Sequence, residues 1–374
     1  MDITIYEVKQ KRDLKKFVRF PFKLYATCSN WVPPIIADEM STLRKDINPA
    51  FDYCEAKYWL AYKGKEIVGR IAGIINHRAI EKFRKRSLRI GWVDFIDDYN
   101  VSEALFSAAE DWAKEKGLIE THGPLGFTDM DNEGLLVEGF ENLPTIASIY
   151  NYPYYENHYV KYGYQKDEDW LQYKIDFTRP VPDKIERINK LIIERYNLKV
   201  LKFSSTKEML GRAKEVFDVL NTSFSNLYGF VSLTDKEIDY YVKQYFSFIN
   251  LEYVCLVADS NDKIIGFGIS MPSLSRAMQK AKGRLFPFGF IHLLRALKKR
   301  DTIDLYLNGV LPEWQKRGVH SIYYSEMNNA YLRNKIPVGI TNPQLESNAG
   351  AILAWRDYNK ELYFRRRAYS KSIG

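Results

Sequence analysis

The run Thr302-Ile-Asp-Leu-Tyr-Leu-Asn-Gly-Val-Leu-Pro-Glu-Trp-Gln-Lys-Arg-Gly-Val-His320 restricts the folds open to this chain more than any other stretch. Ile303, Leu305 and Leu307 alternate with Asp304, Tyr306 and Asn308, the period of two that marks a strand. Pro312 ends the strand, because proline lacks the amide hydrogen a sheet ladder needs. Past Gly318, Ile322, Met327 and Leu332 fall near one helical face, which predicts a helix from Ser321 to Asn334. Between strand and helix lies the short basic turn Gln315-Lys-Arg-Gly318. The first amides of a helix lack internal partners and carry partial positive charge. A glycine lets backbone approach an anion closely, and Lys316 and Arg317 add charge. A diphosphate is a natural ligand for such a turn. The same spacing also fits a plain loop that caps a helix.

A chain of 374 residues is long enough for two domains. At 46% hydrophobic and 27% charged it is globular in composition, not disordered. The net charge of +8 suits an anionic partner: a nucleotide cofactor, an acidic membrane surface or nucleic acid. No nucleic-acid-binding motif accompanies the charge, so no nucleic-acid partner is expected. Cys28, Cys54 and Cys255 are too few and of odd number for a disulfide framework, and Cys255 sits in an apolar run that reads as a buried strand. No Cys/His cluster has zinc spacing, so no metal is expected. With no signal peptide and no run of 18 apolar residues, a cytoplasmic setting is expected.

Taken in order, the pattern predicts an α/β chain. A strand at Ile3 to Val8 precedes a basic-faced helix from Lys11 to Thr27 and an irregular connection from Asn30 to Asp52. A hairpin turns at Lys63-Gly-Lys65, and a strand from Arg89 to Ile96 follows. Asn100-Val-Ser-Glu103 reads as a capping box opening a helix that ends at Gly117. A short strand from Leu118 to Thr121, then Tyr155 to Tyr162, Gly163-Tyr164 and a strand near Leu171 to Phe177 complete the first half. The two prolines of Thr178-Arg-Pro-Val-Pro-Asp183 mark a linker. The order then restarts: a strand from Lys199 to Phe203, helices from Lys207 to Leu220 and Asp235 to Phe246, and a hairpin around Ser260-Asn-Asp262. The opening unit follows, then a strand at Val338 to Thr341, a helix from Asn348 to Tyr358 and a strand from Tyr363 to Tyr369. Domains are expected at 1–178 and 184–374.

Gln315-x-x-Gly318-x-His320 resembles the Q/R-x-x-G-x-G/A motif of the GNAT acyltransferase superfamily, departing from it at His320. The resemblance implies two tandem GNAT acyl-CoA N-acyltransferase-like domains, each a mixed central sheet flanked by helices. It also implies acetyl-CoA or a longer acyl-CoA as co-substrate. The pyrophosphate would lie on Gln315, Lys316, Arg317, Gly318, Val319 and His320, and the pantetheine would pair with backbone near Val310 and Leu311. Asn348 and Ala351 match the family's N-x-x-A helix start. Four residues past that alanine, where the family often has a tyrosine acid, stands Trp355, which leaves Tyr358 or water as the proton donor. Asp304 is a candidate base. In the first half the corresponding phosphate turn holds Asp97, Asp98 and Tyr99, whose carboxylates repel phosphate.

Two further stretches stand out. His122 to Phe140 is a long loop rich in glycine and acids. Asp129-x-Asp131-x-Glu133-Gly134 resembles the start of an EF-hand, but Phe140 stands where the closing glutamate belongs. Asp129, Asp131 and Glu133 could hold a cationic amine with His122 relaying a proton and Tyr154 walling the pocket; a compact packed loop is the alternative. The segment 276–300 sets basic residues around a Phe- and Leu-rich run, which suits peripheral contact with an anionic bilayer or a mouth for greasy substrates, or a core-packed helix. The function expected is acyl-CoA-dependent N-acylation of a small-molecule or lipid amine. The layout also looks similar to bacterial proteins linked to sphingoid-base acylation. The alternatives are a Fem-type transferase using aminoacyl-tRNA and a non-catalytic acyl-CoA-binding protein.

Overall fold

The computed structural model describes residues 2–245 and 249–374. Its strands are β1 (Ile3–Glu7), β2 (Cys54–Lys63), β3 (Glu66–Asn76), β4 (Ser87–Phe95), β5 (Glu120–Gly123), β6 (Leu135–Glu138), β7 (Gln165–Asp176), β8 (Lys199–Leu201), β9 (Val254–Ala258), β10 (Ile264–Pro272), β11 (Thr302–Val310), β12 (Val338–Ile340), β13 (Gln344–Leu345) and β14 (Lys360–Ser372). The chain divides into two compact units. The first comprises Met1–Leu171, Ser275–Leu293 and Phe364–Gly374; the second comprises Gln172–Leu274 and Leu294–Tyr363.

In the first unit the strand order is β1-β2-β3-β4-β5-β14, with β6 also paired to β14. All pairs are antiparallel except β4 with β5. That parallel step is made through the Tyr99–Glu115 helix, as a parallel pair needs a long crossover. The second unit runs β7-β12-β11-β10-β9-β8. Its parallel step, β11 to β12, is made through the Val319–Arg333 helix. The two units therefore share one plan of antiparallel strands followed by a parallel helical crossover. They also share a packing device. A Cβ on Gly69 of β3 would lie 2.7 Å from Leu105, and one on Gly268 of β10 would lie 2.6 Å from Met327, so the missing side chains let each crossover helix sit tight on its sheet.

Several expectations needed revision. The division differs from a cut between 178 and 184. Ser275–Leu293 and the last strand from Phe364 onward belong to the first unit, while Gln172–Asp176 at the end of β7 belongs to the second. The linker prolines mark where the chain is irregular and say nothing about which sheet a strand joins. The connection from Asn30 to Asp52 contains a helix, Ile36–Thr42. The stretch Lys207 to Leu220 is broken at Gly211 into Thr206–Leu210 and Ala213–Ser223. The helix from Asp235 reaches Tyr245, and Phe246 lies outside the described residues. The helix expected from Asn348 to Tyr358 is only Ala349–Leu353.

The returning strand β14 is fastened to the first unit by charge. Asp169 of β7 is fully buried and accepts bonds from Arg367 Nε (2.8 Å), Arg365 (2.9 Å) and Lys166 (2.8 Å). Burial alone would raise its pKa, but bonds from Arg367, Lys166 and Arg365 outweigh it and hold the carboxyl at about 2. Because the folded value lies below the unfolded one, the stabilisation is present above about pH 4 and lost as pH falls through about 2. Asp169→Asn removes the buried carboxylate while Arg365 keeps Glu138 and Arg367 keeps Glu156, and it is expected to cost about 1.5–3 kcal/mol at neutral pH. The difference should shrink as the pH approaches 2, measured by urea unfolding across pH. An equal deficit at every pH would refute the charge assignment.

Candidate functional site

The helix N-termini that follow β4 and β11 occupy matching places and are built differently. In the first unit, Asp98 caps the Tyr99–Glu115 helix with its own carboxylate, accepting from Asn100 N–H at 3.0 Å, and pairs with Lys63 at 3.1 Å. The cap is therefore Asp98 and not the expected Asn100 box, and Ser102 Oγ turns to the Tyr99 carbonyl and to His158. Asp97 bonds His158 Nε2 at 3.0 Å, and Tyr99 stacks on that imidazole at 4.2 Å. The positive end of this helix is already neutralised by the chain's own anion.

In the second unit no acid plays that part. Gly318 is the N-cap residue of the Val319–Arg333 helix, at φ +80°. A Cβ there would lie 2.6 Å from Ile192 of the Asp183–Tyr196 helix. Arg317 N–H donates to Trp314 O and Ser321 N–H to Gly318 O. Among the described bonds, none reaches the amides of Gly318, Val319 or His320. Gln315, Lys316 and Arg317 are exposed, Gly318 and His320 half-buried and Val319 buried. The Arg317 guanidinium lies over Trp314 (4.7 Å) and Tyr196 (5.3 Å), which hold it at the turn. Gln315 donates to Val310 O at 3.2 Å, so it braces the turn. Burial, then the Arg356 charge, lowers the pKa of His320, so the imidazole adds no positive charge near neutrality. Three unpartnered amides, a left-handed glycine with no room for a side chain and two exposed cations fit a diphosphate.

The strand leading to this turn opens on one side. β11 pairs with β12 only from Thr302↔Val338 to Asp304↔Ile340, and beyond that point the two strands part. Leu311 N–H donates back to Ile265 O at 2.9 Å. Backbone groups alternate along a strand, so the Val310 N–H points away from β10, into the opening. Val310 thus offers a free donor there, whereas the expected Leu311 amide is already used. The simple alternation read for β11 does not hold. Its register with β10 jumps from Ile269↔Leu307 to Ser270↔Leu305, leaving Tyr306 as a bulge. A bulge re-aims side chains and is not visible as a change in composition.

Asp304 lies at the point where the strands part, 3% exposed, with Oδ1 lacking any hydrogen-bond partner. Burial, aided by Asp301 and opposed by Ser273, raises its carboxyl to about 7. Asn348 Oδ1 accepts from Ala351 N–H at 3.3 Å as the cap of the short helix. Trp355 is buried with an unpartnered indole N–H, against Tyr324 (4.4 Å) and Tyr358 (5.5 Å). Tyr358 is half-buried, its pKa raised by burial to about 12, so it stays a phenol and can donate a proton.

The acid loop forms a separate cluster in the first unit. Asp131 folds back on its own loop, accepting from Phe127 N–H (2.8 Å) and Thr128 N–H (3.3 Å). Asp129 Oδ1 and Glu133 Oε1 are shut off from solvent without a partner. Burial raises Asp129 to about 7, with Arg89 and Lys82 opposing. Burial also raises Glu133, helped by Asp129. Arg89 was not singled out from the sequence; it bonds the Gly126 carbonyl at 3.1 Å and steadies all three acids. An arginine opening an apolar strand was the only available signal. His122 is opposite Arg89 in the β4–β5 register, and burial, then Arg89 and Lys85, keep its imidazole neutral. Glu120, His122 and Asp167 bring one ligand atom each within 4.8 Å of one another, but Lys85 already stands 2.6 Å from Glu120 and 4.0 Å from Asp167. Tyr154 is not part of this group. Its hydroxyl bonds the Phe95 carbonyl at 2.6 Å, at the far end of β4, roughly 20 Å from Arg89 at about 3.3 Å per residue.

No family model matches the chain. A protein of Escherichia coli K12 named YghO is 28% identical over 97% of this chain and 94% of its own length. A protein of Caulobacter vibrioides named bacterial ceramide synthase is 28% identical over 84% of this chain and 82% of its own. Among solved structures, a tandem GNAT protein from the clavulanic acid biosynthesis pathway superposes with a TM-score of 0.56 at 11% identity, covering 100% of this chain and 99% of that one. A GCN5-related N-acetyltransferase from Sphaerobacter thermophilus gives 0.53 at 11% identity, covering 99% and 96%. The fold is that of a tandem GNAT protein.

Asp304 gives this geometry a direct test. Its folded pKa of about 7 lies above the unfolded value, so the stability it contributes is complete below about pH 4 and is lost as pH rises through 7. Asp304→Asn, permanently neutral, should gain on the wild type between pH 5 and pH 8 by a few kcal/mol at most. Thermal unfolding of both proteins at those pH values decides it, and parallel profiles would show that Asp304 ionises normally.

Proposed function

We propose that this chain, with its tandem GNAT fold, is an N-acyltransferase that moves an acyl group from coenzyme A to a primary amine of lipid character. The carrying observation is the contrast between the two helix ends: Asp98 fills one, while the amides at Gly318 stand open beside Lys316 and Arg317. Gly318, Val319 and His320 would hold the diphosphate, and the Val310 N–H would bond the thioester arm. The thioester supplies an activated acyl carbon that an amine attacks directly. The chain's task is to orient the reactants, polarise the carbonyl and move protons.

Asp304, poised near neutral pH, is assigned as the base that takes the amine proton, and Tyr358 as the acid that protonates the departing thiolate. Within the first unit, Asp129 and Glu133 carry unpartnered oxygens that a cation would satisfy, which is in keeping with an amine ligand. The relative named bacterial ceramide synthase supports an amine acceptor on a long chain. A second reading, acyl-CoA binding without turnover, is favoured by Trp355, which cannot donate a proton to a thiolate.

Purified protein given labelled acyl-CoA and a panel of long-chain amines should form the amide. Gly318→Glu should raise the KM for acyl-CoA at least tenfold and leave the amine KM alone, because a side chain there meets Ile192 and the wrong charge. No thioester cleavage with any amine would end the enzymatic reading.

Tyr358→Phe removes only the phenol hydrogen. It should lower kcat by about 10²-fold or more with little change in either KM. An unchanged kcat would hand the proton step to water.

A further inference from the structure

We propose that the turn carrying Phe286 and Phe288 is a docking tip for the surface of an anionic phospholipid bilayer. The tip stands on a fixed base within the first unit. Ser275 Oγ donates to Pro144 O at 2.6 Å, Gln279 donates to the Ser29 and Trp31 carbonyls at 2.7 and 3.1 Å, and Ile36 N–H donates to Gly283 O at 2.9 Å. The Phe22 ring lies directly under Gly283, where a Cβ would come within 2.5 Å of it. The turn itself is closed by Phe290 N–H to Leu285 O (2.8 Å) and Ile291 N–H to Phe288 O (3.2 Å).

On this ordered base the apolar groups face outward. Phe286 is 79% exposed, Phe288 69% and Phe290 38%, with the Phe286 and Phe290 rings 5.8 Å apart. Phenylalanines held in water at one tip forgo the burial that normally stabilises them. Around them Arg276, Lys280, Lys282 and Arg284 are exposed and have no ion-pair partner among the described residues. No Asp or Glu occurs anywhere from Ser275 to Leu293. Aromatic side chains ringed by unpaired cations, with no carboxylate, complement a surface that offers hydrocarbon beneath negative charge. Among the described residues no helix is long and apolar enough to cross a membrane, so the contact proposed is at the surface. The inference stands apart from the assigned reaction and survives if that fails.

The full chain is mixed with vesicles of phosphatidylcholine alone or with added phosphatidylglycerol and sedimented at low and high salt. Wild type should bind the anionic vesicles, bind neutral ones weakly and release with salt. Phe286→Ser with Phe288→Ser should weaken binding at least about tenfold while leaving the melting temperature unchanged, since neither ring supports the core. Arg276→Gln with Lys282→Gln should weaken it too, and only for anionic vesicles. Equal binding by the double serine variant, or no wild-type binding, overturns the proposal. So does concentration-dependent self-association that the serine variant abolishes without any vesicle binding.

Discussion

The unpaired amides at a helix start govern much of this structure. Every helix leaves its first N–H groups without internal acceptors, and the aligned dipoles make that end attract negative charge. The chain meets this demand in two ways on one plan. After β4 it supplies the anion itself: Asp98 caps, and Asp97 ties down His158 beside it. After β11 it supplies glycine and cations and leaves the amides open. A few residues in a shared framework thus decide whether the start of a crossover helix is filled by the chain's own anion or left open. The glycines that let both crossover helices sit against their sheets are the same in kind, so the difference lies in charge and not in packing.

The second constraint is the ownership of strands. β14 completes the first unit after the chain has built the second, and the Arg365–Arg367–Asp169 bonds hold it there. Pairing between residues so far apart in sequence carries a large closure entropy. A buried carboxylate shared by two arginines and a lysine is costly to desolvate, but it admits one register of β14 and penalises any slip that would separate the charges.

What could be read in the sequence follows from which forces are local. Period two and period 3.6 are local, so most strands and helices were legible, and so was the second half as a repeat of the first. The Gly318 turn was legible because one residue type and its charged neighbours carry the physics. The strand exchange was not, since turn residues mark irregular backbone and carry no information about which sheet a strand will join. The bulge at Tyr306 was not, because it adds a residue to the ladder without altering composition. Arg89 was missed because its partners at Gly126 and in the acid loop lie some forty residues on, beyond any periodic pattern. The cap at Asn348 was legible because its demand, the amide of Ala351, is local.

Among the enclosed side-chain atoms without hydrogen-bond partners are carboxylate oxygens of Asp129 and Glu133 in the first unit and of Asp304 in the second. Each such group lowers stability, because desolvation is not repaid by a hydrogen bond. A fold needing only a scaffold would do better with an amide or an apolar side chain at those positions. Burial raises the Glu133 carboxyl and holds those of Asp129 in one unit and Asp304 in the other near neutral pH, the condition in which a group can both accept a proton and return it. Local consistency between sequence and fold gives way at these carboxyls and at the open amides of Gly318, the kind of position where functional demands compete with stability.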